Sequence, residues 1–192
     1  MNKKVRGILT GKVKEKVSTY TNLAYPVLVI WQAWDAHWVM LSYLAITSIA
    51  MGIGSSLFHG TLIHKWQKMD ETVMYAFIIS LIVWNIGSLW LIPVGLVVSL
   101  AMGMNHQHIS STVGVGTLVF LNTLSIGIFH GLWIWALWMV AGFFVALLIR
   151  QVGEGFREDF RATRNKESFL IYDILHGVWH IITALVAKLS MI

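Results

Sequence analysis

Two histidines stand four residues apart in the string His176-Gly177-Val178-Trp179-His180. On a helix that spacing puts both imidazoles on one face, one turn apart, and such a pair can aim two nitrogens at one metal ion. A further histidine ends the string Ser55-Ser56-Leu57-Phe58-His59, where Ser55 and His59 share a face for the same reason. Three protein ligands with a fourth position open to water is the arrangement of a catalytic zinc. Asp70, followed by Glu71, comes eleven residues after His59, and a carboxylate beside such a site is suited to taking and returning a proton.

Each feature also has a plainer reading. Imidazoles and hydroxyls hydrogen-bond neighbouring helices inside membranes. A serine in a helix often bonds the carbonyl four residues before it. A carboxylate such as Asp70 suits the first turn of a helix, where the dipole favours it. Taken singly, the residue types leave both readings open.

The elements that must position these groups are apolar helices. The 192-residue chain is 57% hydrophobic and only 12% charged, with a mean hydropathy of +0.70, ten tryptophans and nine methionines. A soluble domain carries about 25% charged residues, so an integral membrane protein is expected. With no cysteine, disulfides and thiolate metal sites are excluded. The net charge of +5 is no nucleic-acid signal, because the cations flank apolar runs.

Seven apolar runs approach the ~20 residues needed to cross a bilayer: Tyr20 to Trp34, Trp38 to Phe58, Met69 to Trp84, Ile86 to Met104, Thr112 to Phe129, Leu132 to Ile149 and Phe169 to Leu189. The first and third are short and need a turn from their flanks. Asn85-Ile86-Gly87 and His130-Gly131 read as tight turns. Trp31, Trp34, Trp38, Trp84, Trp90 and Trp133 lie near run ends, as interfacial tryptophans do.

If each run reverses the side, every Lys and Arg except Lys188 falls on the side of the N-terminus. That bias marks the cytoplasmic side. An all-α bundle of seven transmembrane helices is therefore expected, multi-pass, in the plasma or inner membrane if bacterial. Residues 1–16 read as a basic cytoplasmic tail on anionic headgroups, with no cleavable signal peptide, and residues 17–192 as the membrane domain. The stretch 150–168 reads as the one polar loop, with a short surface helix as the alternative. His37 and His130 fall at outer turns, His106 and His108 in a cytoplasmic loop, and His64 points away from His59.

His176 and His180 lie seven to eleven residues inside the last run, ~10 to 17 Å deep at ~1.5 Å per residue. His59 ends its own run, so the second helix must tilt or tuck inward to meet them.

The set Ser55, His59, Asp70, His176 and His180, with the wording FHGTL, QKMDE and HGVWHIITAL, resembles the alkaline ceramidase family. That family belongs to a superfamily of seven-span hydrolases including the adiponectin and progestin receptors and the hemolysin-III proteins. The His-to-Asp interval is shorter than in the receptor branch, which favours ceramidase. The segment Glu15 to Tyr25 is also similar to the family's Glu-x-x-Asn-Thr-x-Ser-Asn, with Glu15, Thr19 and Asn22 in place, and Ser18 and Thr21 substituted.

The resemblance implies zinc held by His59, His176 and His180. Asp70 would be its acid–base group and Ser55 a hydrogen-bond donor to water or the oxyanion, with Ser56 a weaker candidate. A lipid amide, ceramide-like, would yield a fatty acid and a sphingoid-type amine. Glu15 corresponds to a calcium ligand of eukaryotic members, but Lys12 and Lys14 stand where its acidic partners would be, so calcium is not expected to bind strongly. The alternative is a lipid-responsive receptor or hemolysin-III-like protein with a structural zinc.

Overall fold

The computed structural model describes residues 15–34, 38–61, 64–105 and 111–192, with backbone only at 64–65 and 111–112. Among the described residues there is no strand, and the chain forms eight helices: α1 (Lys16–Thr21), α2 (Ala24–Gln32), α3 (Trp38–Thr61), α4 (His64–Ile86), α5 (Leu91–Met104), α6 (Ser111–His130), α7 (Trp133–Thr163) and α8 (Lys166–Leu189). Five of them, α3, α4, α6, α7 and α8, contain segments long and apolar enough to cross a membrane, and α5 is a shorter apolar helix. Together they point to a membrane protein.

The first apolar run is not one helix. Pro26 has no N–H to give to the Asn22 carbonyl, and its ring crowds that carbonyl. The chain therefore breaks at Asn22 and Leu23, leaving Pro26 in the first turn of α2, where no donor is needed. The Asn22 side chain donates to Ser18 O at 2.7 Å, and so occupies one of the carbonyls freed at the end of α1.

The expected turns are present: α4 ends at Gly87 with φ +72° and α6 at Gly131 with φ +69°, a backbone region that glycine enters without a Cβ penalty. The polar stretch 150–168 is not a loop. Helix α7 runs on through it to Thr163, and only Arg164 (φ 61°) and Asn165 separate it from α8. Asn165 caps α8 by accepting from Glu167 N–H at 3.0 Å. Apolar sequence passes into Arg/Glu-rich sequence within one unbroken helix, since both carry good helix formers.

The helices close a ring. Helix α2 packs on α3, α3 on α4, α4 on α6, α6 on α7, α7 on α8, and α8 back on α2, with α5 outside against α4. The short α1 wedges between α3 and α8. Large apolar side chains cover the outside (Trp133, Ile134, Trp138, Phe144, Leu148), whereas small polar ones are buried. Thr47 donates to Ser80 across α3 and α4 at 2.9 Å, and Asn85 to Asn122 across α4 and α6 at 3.0 Å. Such bonds hold helices together where no hydrophobic force acts between them.

Candidate metal centre

His59, in the last turn of α3, meets His176 and His180 of α8 in the interior of the ring. The three ring centroids are 4.7, 5.2 and 4.8 Å apart, and all three residues are buried. One nitrogen from each lies within 4.8 Å of the others. Tetrahedral coordination at ~2.1 Å would hold ligand nitrogens ~3.4 Å apart. The expectation that the end of the second run reaches the depth of the last-helix pair holds.

Hydrogen bonding selects which nitrogens face inward. The Glu15 carboxylate is 2.5 Å from Nδ1 of His59; a carboxylate only accepts, so Nδ1 carries the proton and Nε2 keeps its lone pair. At His180 the outer nitrogen Nδ1 faces the Tyr25 hydroxyl at a long 3.5 Å, and that hydroxyl is 2.6 Å from the Thr183 hydroxyl. His180 Nε2 and both nitrogens of His176 are buried without any partner. An unpaired buried polar atom costs about 1–3 kcal/mol, so lone pairs gathered in one place fit a cation. Imidazole nitrogens with no thiolate suit zinc, copper, iron or nickel.

Facing the histidines is a cavity of about 160 Å³, whose wall includes Ser55 and Asp70. Asp70 Oδ1 and Ser55 Oγ are both buried with no hydrogen bond. Ser55 therefore does not bond the carbonyl four residues back, and its hydroxyl lies beside the Asp70 carboxylate, close enough to interact with it. Ser56 turns the other way and donates to Thr19 O at 2.7 Å, tying α3 to α1. Beyond Trp179 and Phe143, which line both spaces, a narrower chamber of about 70 Å³ continues between apolar side chains such as Phe77, Ile78, Leu81 and Val119.

Three contributions were not read from the sequence. Glu15, with a buried side chain, is engaged by His59 and by Tyr172 O–H at 3.3 Å. Glu15 thus packs into the interior of the bundle. Asp173 on α8 accepts from Val17 N–H (2.9 Å), Ser18 N–H (3.0 Å) and Ser18 O–H (2.8 Å). It caps α1 from the far end of the chain and so fixes Glu15. Gly177 permits the approach, since a Cβ there would come within 2.7 Å of Val17 Cγ1. Arg150, Glu154 and Arg157 of α7 also line the cavity. Asp173 lies three and seven residues before the histidines, and Arg150, Glu154 and Arg157 recur at four and three, so both sets carried helical-face spacing.

His130 is structural, its Nε2 2.8 Å from Asn85 O. His37, His106, His108 and the side chain of His64 lie outside the described residues, as do residues 1–14. No protein-family model matches the chain, and no curated protein matches it. The functional argument therefore rests on the site itself.

Proposed function

We propose that this chain is a seven-span integral membrane hydrolase that uses zinc to cleave a lipid amide, of the alkaline ceramidase type. The observation that carries the reading is the convergence of His59, His176 and His180, with partnerless nitrogens on two of them, beside a buried carboxylate oxygen of Asp70 that also has no partner. A structural zinc in a receptor-like protein has no use for that carboxylate.

The seven crossings are α1 with α2, then α3, α4, α5, α6, α7 and α8. The broken first segment and the 14-residue α5 are the short ones. The N-terminus belongs in the cytoplasm by the distribution of Lys and Arg. The outward-facing tryptophans and aliphatics of α7 suit a lipid surround.

His59, His176 and His180 would hold the zinc. When bound, zinc supplies Lewis acidity, activating water at neutral pH and polarising the amide carbonyl. Glu15 keeps the outward nitrogen of His59 protonated, which fixes its tautomer and ring orientation, and Tyr25 lies against the outward nitrogen of His180. Asp70 accepts the proton of the attacking water and passes it to the amide nitrogen as the C–N bond breaks, because an unprotonated amine is a poor leaving group. Ser55 donates its hydroxyl hydrogen to the oxygen on which negative charge develops, worth ~2 to 4 kcal/mol. The apolar chamber takes the acyl chain. The products are a fatty acid and the amine half of the lipid, a sphingoid-type amine where the amide is a ceramide.

The test is hydrolysis of a short-chain ceramide by purified wild type and Asp70→Asn, with zinc measured in both. Equal zinc and turnover reduced by about 10² or more is expected. Undiminished hydrolysis by Asp70→Asn would remove that carboxylate from the chemistry.

A further inference from the structure

The cavity wall carries two guanidiniums, Arg150 and Arg157, among the carboxylates of Glu15, Asp70, Glu71 and Glu154, and the two differ in how their donors are used. Glu154 and Arg157 pair with each other, one guanidinium nitrogen lying 3.1 and 3.0 Å from the two carboxylate oxygens. Glu71 accepts from Gln67 at 3.2 Å. Glu15 is occupied by His59 and Tyr172. Arg150 has none of this. It is half-buried, lines the cavity, and rests its guanidinium on the face of Trp179, 5.2 Å from the ring centroid. Among the described residues it makes no ion pair and no hydrogen bond. Trp179 in turn lies 4.6 Å from the His180 ring and 5.2 Å from the His176 ring. The stack thus holds the guanidinium on the wall of the reaction space with its whole fork of donors unspent.

A guanidinium in that state is built for a carboxylate or phosphate, which it binds through two parallel hydrogen bonds. Its position selects the part of the substrate that supplies the anion. The apolar chamber beyond the histidines receives the acyl chain, so the amine half of the amide lies at the polar end, beside Arg150. A plain sphingoid head offers only hydroxyls and gives this fork of donors no anionic oxygen pair to bind.

We propose that the lipid amide cleaved at this site bears an anionic group, carboxylate or phosphate, on its amine side, and that Arg150 binds that group. This rests on the amidase reading above and names its substrate class: an N-acyl amino acid or a phosphorylated N-acyl amine. The reaction consumes water and the amide, and yields a fatty acid and an amine that keeps its anionic group. Arg150 sets specificity and takes no part in bond breaking.

Four amides of one acyl chain separate the possibilities: N-palmitoylglycine, the phosphate monoester of N-palmitoylethanolamine, and the neutral N-palmitoylglycinamide and N-palmitoylethanolamine. They are compared in a sugar-based detergent free of phospholipid. The expected result is a kcat/KM at least about tenfold higher for one anionic amide than for its neutral partner, the size of a charge-assisted hydrogen bond. In Arg150→Gln the ratio falls to near one. The preferred member tells carboxylate from phosphate. A wild-type ratio near one overturns the proposal and leaves Arg150 to bilayer phosphates. An unchanged ratio in Arg150→Gln overturns it as well. Equilibrium binding of the same radiolabelled amides to zinc-stripped protein should show the same preference, lost in the variant. If no amide is hydrolysed but that binding preference is present, the amidase reading fails and the anion site stands; if the preference is absent too, both fail.

Discussion

The Glu15 carboxylate lies 2.5 Å from Nδ1 of His59, a residue 44 positions further along the chain. A metal-ligating histidine usually gives its second N–H to such a group, and losing that partner weakens metal binding about 10- to 100-fold. Glu15→Ala should therefore bind zinc at least tenfold more weakly than wild type, measured by competition with a chromophoric chelator. The same zinc affinity in Glu15→Ala would mean that this carboxylate serves something else.

Asp173 sets the position of Glu15 by capping α1. Asp173→Ala would leave the Val17 and Ser18 N–H groups without their acceptor, and the Ser18 hydroxyl with only the backbone carbonyl of residue 173 at 3.3 Å. A loss of about 3 kcal/mol in stability is expected, with a clearly lower Tm in detergent and weaker zinc retention. Asp173→Asn, which keeps one acceptor oxygen, should fall between. A Tm unchanged in Asp173→Ala contradicts the assignment.

Ser55 and Ser56 are adjacent in sequence and have opposite tasks. Ser55→Ala should keep its zinc and lose about 10²-fold in kcat, the cost of one oxyanion donor. Ser56→Ala loses only the tie to Thr19 O, worth about 1 kcal/mol, so its Tm should drop slightly while kcat hardly moves. Paired measurement of Tm and kcat on the two variants decides; equal kcat losses would show that the serines act on helix packing alone.

Much of this was legible before any coordinates. Histidines four apart and a serine four before another histidine are statements about helix faces, and a bundle of apolar helices has few other places to put them. The glycines at 87 and 131 marked real ends because positive φ excludes most other residues. What escaped were contacts across the chain. Nothing local tells that Glu15 will meet His59, or that Asp173 will cap a helix 155 residues away. Arg150 to Ser168 read as a loop because polarity was taken for irregularity, whereas helix propensity does not distinguish lipid from water. Pro26 was visible throughout, and its effect on the first run follows from the proline ring alone.

Removing the metal should abolish turnover and nothing else. Prolonged dialysis against a strong chelator is expected to cut hydrolysis to background, and about one equivalent of zinc to restore it, because three neutral imidazoles bind zinc reversibly. Full activity after chelation, with zinc absent by analysis, would exclude a metal-dependent reaction.

The most direct measurement is zinc K-edge absorption on the purified protein, with metal content by mass spectrometry. The histidine cluster predicts about one zinc per chain with imidazole nitrogens at ~2.0–2.1 Å, and little zinc in His176→Ala or His180→Ala. A wild-type protein without stoichiometric zinc, or one whose zinc survives both substitutions, would contradict a metal centre at His59, His176 and His180.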